Sequence, residues 1–170
     1  GSLPRVNVSI KLSSLFSQFD PMAPDHTSAV VRGRLRPILR AALKHRAFVN
    51  IDMEQSSYKD LTIRIFQEIL GEVEFRAWPD AGIAIQAYLG SCESDLHGLL
   101  AWVKRRGTPV WVRLIKGAYW DYETVVETKE RWEVTVWVAS DCLRDDCTVD
   151  LTPRRCRAFK PNAGSFCIPN

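Results

Sequence analysis

Between residue 6 and about residue 127, the spacing of apolar positions switches repeatedly between two periods. Residues 6–12, 47–53, 82–88 and 110–115 are short runs rich in β-branched and aromatic side chains. That composition suits strands buried on both faces. Between them lie longer stretches with apolar residues three and four apart: Val31, Leu35, Ile38, Leu39 and Leu43, then Leu61, Ile65, Ile69 and Leu70, then Leu96, Leu99, Leu100 and Val103. Each set forms one stripe of a helix, with charged residues around the rest. Ser94 or Glu93 is expected to begin the third helix, and Gly107 to end it as a C′ glycine behind the basic run Lys104-Arg105-Arg106. Pro37 should either kink the first helix or confine it to the residues after the proline. Strands alternating with helices predict parallel βαβ units. Beyond residue 127 the rhythm stops. Residues 133–138 read as one more strand, and residues 141–170 read as irregular.

Composition narrows the class without deciding it. The 170 residues are 46% hydrophobic and 25% charged, enough for a folded core. They fall short of the roughly 250 residues of a complete (β/α)8 barrel. A net charge of +3 gives no reason to expect nucleic acid as the ligand. The five cysteines, Cys92, Cys142, Cys147, Cys156 and Cys167, contain no C-x-x-C pair, and no histidine follows His97. No metal site is expected from that spacing, and the pattern suits a reducing, intracellular compartment. No run of apolar residues is long enough for a membrane-spanning helix, and the first residues do not read as a secretory signal.

The chemistry lies where the strands end. Lys11, Asp52, Gln86 and Arg113 each stand at or near the carboxyl end of one predicted strand. In parallel α/β folds that rim is where ligands bind. Two cations, a carboxylate and an amide converging there suit an anionic, polar substrate or cofactor. The pattern equally admits four loop-boundary residues. Glu54, Gln55 and Lys116 read as exposed loop residues, and His26, His45 and His97 as ordinary surface residues. Trp78, Trp102 and Trp111 read as packing residues. The nucleotide-binding glycine motifs and the common hydrolase motifs do not occur.

Residues 113–121, Arg-Leu-Ile-Lys-Gly-Ala-Tyr-Trp-Asp, resemble the flavin-binding signature of proline dehydrogenase in its bacterial proline utilization A form. Residues 8–13, 50–54 and 85–88 resemble that family's early strand, acidic strand and glutamine strand, in the same order, so the resemblance covers roughly residues 3 to 127. It implies an α/β fold, a partial (β/α)8 TIM barrel of about four to five βα units, in residues 1–127. A divergent, irregular tail then fills residues 128–170. It also implies oxidation of L-proline to 1-pyrroline-5-carboxylate, with FAD as hydride acceptor at N5 and a quinone as the onward electron acceptor. On the matched positions, the implied catalytic residues are Arg113, Asp52 and Lys11. Lys11 would pair with the proline carboxylate, Asp52 would organise the substrate pocket and Tyr119 would pack on the substrate. Gln86, Arg113, Lys116, Gly117, Ala118, Tyr119 and Trp120 would face the flavin, with Arg113 beside N5 and Gly117 letting backbone approach.

The resemblance further implies a cytoplasmic protein, peripheral at the inner face of the bacterial membrane, with a fused or partner pyrroline-5-carboxylate dehydrogenase domain. The sequence is expected to hold the N-terminal half of the barrel, with a frameshift or truncation behind the change at residue 128. Alone, such a half is expected to bind flavin without turnover. Two alternatives stand beside this reading. One is a non-catalytic half-barrel that self-associates through its open edge. The other is an α/β enzyme acting on a different carboxylated or phosphorylated metabolite.

Overall fold

A computed structural model describes residues 6–117, Tyr119, Tyr122 and 165–168, the last four by their backbone alone. The expected period changes become β1 (Asn7–Ile10), α1 (Pro24–His45), β2 (Phe48–Ile51), α2 (Ser56–Gly71), β3 (Ala81–Gln86), α3 (Cys92–Arg106) and β4 (Val110–Ile115). A 3₁₀ turn, Leu12–Leu15, follows β1 directly. β1, β2, β3 and β4 pair in parallel and in chain order, the order of a (β/α)8 barrel wall. β5 (Ser165–Ile168) then pairs antiparallel with the far edge of β4. It lies in the stretch read as irregular. The expected strand at 133–138 and the boundary at 127/128 lie outside the described residues.

The core sits between the sheet and the helices. Val49 and Ile51 of β2 and Ala81 of β3 meet Leu35 and Leu39 of α1 and Phe66, Ile69 and Leu70 of α2. The helical stripes therefore bury as the 3.6-residue period predicts, with one exception. Ile38 stays 36% exposed, because Leu35 and Leu39 already fill the turn that faces the sheet. α1 also continues through Pro37 as one helix from Pro24 to His45, so the proline does not end it. Pro37 and Gly33, whose carbonyl the proline leaves without its helical donor, are both exposed. Gly33, four residues before the proline, meets no neighbouring side chain. Gly107, with φ +78°, ends α3 in the left-handed conformation and donates its N–H to Val103. α3 begins slightly earlier than expected, at Cys92.

An ionic seam joins α1 to α2 and to the turn after it. Arg36 grips Glu72 with two bonds of 2.8 Å. Arg32 reaches Glu68 at 3.2 Å and Glu72 at 3.3 Å, and Arg40 reaches Glu74 at 2.6 Å. The Arg36 guanidinium, outweighing partial burial, holds the Glu72 carboxyl below its ordinary value. For Glu68, burial pushes the other way, but the Ser28 hydroxyl and Arg64 win and its value is also lowered. Both shifts are depressions of an acid, so the stability they lend is fully present above the ordinary glutamate value of about 4.3. It is lost as pH falls through the lower folded-state values. Glu72→Gln is expected to cost about 1 kcal/mol at pH 7, discounted for the partly exposed partners, and progressively less as acid protonates Glu72. Urea melts at pH 7 and in acid check this, and an equal loss at both would contradict it.

Candidate active site

The strand register assembles the rim. Ser9, Asn50, Gly82 and Trp111 are successive partners across β1 to β4. Side chains in one such row share a face. One row further toward the carboxyl ends, Ala84 pairs with Arg113, and the Asp52 N–H donates to Ile10 O at 2.9 Å. Continuing the register places Lys11, Asp52, Ala84 and Arg113 in a single row, and Gln86, paired with Ile115, one row beyond.

β3 makes this row work by being small. Its inward positions are Gly82, Ala84 and Gln86. A Cβ on Gly82 would lie 2.9 Å from the Phe48 ring and 3.0 Å from the Trp111 carbonyl. Phe48 and Trp111 close over that gap edge to face, with ring centroids 6.2 Å apart, and form an apolar floor. One row up, the Arg113 guanidinium on β4 donates through Nη2 to Asp52 Oδ1 on β2, with only the Ala84 methyl between the strands. The same Asp52 oxygen accepts from Asn50 Nδ2 at 3.1 Å. Ala84 is fully buried. Ala84→Leu is expected to wedge the Asp52–Arg113 pair apart and cost about 1–3 kcal/mol through overpacking. Thermal melts would check it, with an unchanged midpoint as the contrary result.

The expected site residues are placed in different ways. Asp52 and Arg113 are joined directly. Lys11 and Gln86 share the rim by register, and Lys11 is exposed with no ion pair among the described residues. Gln86 is 2% exposed, yet neither its Nε2 nor its Oε1 has a partner among the described residues, and Arg113 Nε is likewise buried and unpartnered among them. Lys116 is exposed and Tyr119 half-buried, with no recorded contact to this row. Ala118 and Trp120 lie outside the described residues. Gly117 has φ +138°, and a Cβ there would fall 1.6 Å from the Tyr88 ring. Its glycine requirement in this structure is the close approach of Tyr88.

Sequence reasoning missed two polar side chains. Asn50 is buried within β2 and steadies Asp52. Its signal was available, since residues two apart in a strand share a face. Glu54, expected as an exposed loop residue, is instead 8% exposed and bonded to Ser13. The fold brings Ser13 to it across 41 residues, a contact that loop composition does not encode. The three histidines are exposed as expected, and Trp78 and Trp102 pack, Trp102 against Phe66 and Arg106.

Known proteins resemble this chain in sequence and fold. The family model described as proline dehydrogenase matches residues 1–142. The bifunctional protein PutA of Escherichia coli K12 is 30% identical over 116 residues, covering 68% of this chain and 9% of that protein. Proline dehydrogenase 1 of Bacillus subtilis is 31% identical over 112 residues, covering 66% of this chain and 31% of that one. Among solved structures, proline utilization A from Bdellovibrio bacteriovorus, inactivated by N-propargylglycine, superimposes with a TM-score of 0.79 at 45% identity. The match covers 82% of this chain and 15% of that one. Proline utilization A from Corynebacterium freiburgense gives 0.73 at 36% identity, covering 79% and 14%. This chain thus spans only a minor part of each relative's length, 9% of the E. coli protein. Within that part the matched span takes in all four parallel strands and the polar row they carry, and the chain belongs to the proline dehydrogenase family.

Proposed function

We propose that this chain supplies the flavin- and proline-facing rim of a proline dehydrogenase, which oxidises L-proline to 1-pyrroline-5-carboxylate. The observation that carries the reading is the buried amide of Gln86, without a partner among the described residues, one row beyond the Asp52–Arg113 pair. A buried amide and a guanidinium N–H without partners are costly unless a ligand completes them. The edge of an isoalloxazine ring offers both acceptors and a donor, so these residues fit FAD. When bound, FAD would supply the two-electron acceptor, which the side chains cannot provide.

The chain's own residues do the rest. Gln86 would hold the ring edge through its amide. Arg113 would present its free N–H and positive charge where negative charge grows on reduction, and Asp52, steadied by Asn50, keeps that guanidinium from swinging. Lys11 would bind the proline carboxylate as a point charge on the same row. Tyr119, half-buried just past Gly117, would close on the substrate. Phe48 and Trp111 form the apolar floor beneath the row. Lys116, Gly117, Ala118 and Trp120 would run along the cofactor. Electrons would leave to a membrane quinone, and the product to a pyrroline-5-carboxylate dehydrogenase domain, fused or separate. This reading places the chain in the cytoplasm, at the inner face of the membrane. No helix among the described residues is long and apolar enough to cross a membrane.

Proline-dependent reduction of a dye by the purified chain plus FAD tests the full activity. Flavin bound without dye reduction would retain the cradle and remove turnover. A second reading, a non-catalytic half-barrel that pairs with its own copy, is favoured by β1. Among the described residues β1 is an edge strand, with Val6 51% and Val8 41% exposed. Sedimentation that gives a concentration-independent monomer would exclude that pairing.

A further inference from the structure

Glu54 lies two residues past Asp52, beyond the end of β2, and its carboxylate is buried. It accepts from the Ser13 N–H at 3.1 Å and from the Ser13 hydroxyl at 2.5 Å. Among the described residues it takes part in no ion pair, so its charge is held by those neutral donors. A buried carboxylate is tolerated only where such bonds replace water.

What it holds is the turn that begins at Lys11. Lys11 is the N-cap of the 3₁₀ turn Leu12–Leu15, and its side chain makes no capping bond. The first N–H groups of a helical turn have no partner of their own and need an acceptor. Glu54 provides one to Ser13 from just past the end of the neighbouring strand β2. The Ser14 N–H and hydroxyl both donate back to Lys11 O, at 3.1 and 2.6 Å. The Lys11 backbone is thereby fixed between β1 and a turn tied to the end of β2. Its side chain is exposed and without an ion pair among the described residues, so the backbone decides where the ammonium stands.

We propose that Glu54 is a positioning residue for Lys11. By capping the Lys11 turn from the end of β2, it sets the ammonium level with Asp52 and so tunes affinity for the substrate carboxylate. The inference rests on the reading of Lys11 as the carboxylate-binding cation. Its chemistry differs from a simple charge effect. A carboxylate acting only through its field would repel an anionic substrate, so its removal would tighten binding. Glu54→Gln would then match Glu54→Ala. A cap acts through bonds, and a glutamine carbonyl still accepts from the Ser13 N–H while its amide can donate to the hydroxyl.

The test is titration of the FAD-supplemented chain with L-proline, followed by the Lys11 side-chain NMR signal and, separately, by hydrogen exchange of the Ser13 amide. Glu54→Ala is expected to weaken proline about tenfold and speed Ser13 exchange at least about tenfold, a loss the size of one buried hydrogen bond. Amides of β3 and β4 should keep their protection. Glu54→Gln should stay within about threefold of the parent in both readings, and Ser13→Ala should fall between. Unchanged proline affinity and exchange in Glu54→Ala would overturn the proposal, and so would tighter binding in Glu54→Ala and Glu54→Gln alike. If Glu54→Ala does not fold, Glu54→Gln and Ser13→Ala decide by the same two readings. Proline affinity untouched in Lys11→Ala would overturn the carboxylate role of Lys11 alone, and Ser13 exchange would still decide whether Glu54 caps the turn.

Discussion

Arg113→Met is expected to weaken FAD binding by at least about tenfold. Methionine keeps the length and much of the packing of the arginine stem but has none of its five N–H donors. One of those donors holds Asp52 across β3, and another, at Nε, is buried with no partner among the described residues. The substitution therefore takes a charge-assisted donor from the flavin and leaves Asp52 with Asn50 as its remaining recorded partner. Removing one member of a partly buried ion pair strands the other, so stability should also fall by about 1–3 kcal/mol. Asp52→Asn separates the two effects. It keeps an acceptor for Arg113, removes the charge, and should lower flavin affinity less than Arg113→Met. Quenching of flavin fluorescence on titration with each variant reads the affinities. Equal affinity in the parent and Arg113→Met would refute the assigned role.

The largest effect on folding is expected at the other end of the sheet, from Arg106→Leu. Arg106 closes α3 but turns inward and is 6% exposed. Its guanidinium donates to five carbonyls, those of Leu70, Phe75, Trp78, Thr108 and Pro109, at 2.7 to 3.3 Å. It also stacks 5.4 Å from the Trp102 ring centroid. These carbonyls end α2, shape the turn into β3 and lead into β4, so one side chain ties two connections at the amino ends of the strands, α2 to β3 and α3 to β4. Burial, with the charge of Arg76 nearby, draws its pKa down to about 10, so it stays charged at neutral pH. Leucine would fill part of the space and leave several buried carbonyls without donors, at about 3–5 kcal/mol in total. Against the 5–15 kcal/mol of an ordinary domain, that brings the chain close to unfolding. Lysine should recover little, because its three donors lack the planar fork that spans these carbonyls. Urea denaturation of both variants measures the loss, and a midpoint within error of the parent would contradict it.

These two arginines show how far the sequence could be read. Arg113 was legible because it stands inside a β-branched run, where a charge is anomalous unless the strand end serves a ligand. Arg106 sits in the run Lys104-Arg105-Arg106, which reads as a solvated helix end. Only the path of residues 72–80 around it makes it a core residue. The helix stripes and the parallel order were legible because each depends on local period. Glu54 was not, because its burial depends on where the Lys11 turn lands beside β2. Ser165–Ile168 was not, because a short strand without alternation takes its identity from the free edge of β4. The later helix start that Pro37 admitted does not occur, for a related reason. A proline costs a helix one bond locally, but tertiary burial of Val31, Leu35 and Leu39 on both sides of it carries α1 onward.

Every role proposed for these residues depends on the row at the carboxyl ends of β2, β3 and β4 being a flavin cradle. Titration of the purified chain with FAD, followed by visible absorbance and flavin fluorescence, decides this when the Gln86→Leu variant is run beside the parent. The parent should give a saturable, red-shifted flavin spectrum. Gln86→Leu, which removes both amide partners, should bind at least about tenfold more weakly. A parent chain that folds but leaves FAD spectrally free, or a Gln86→Leu variant that binds it equally well, would contradict the cradle.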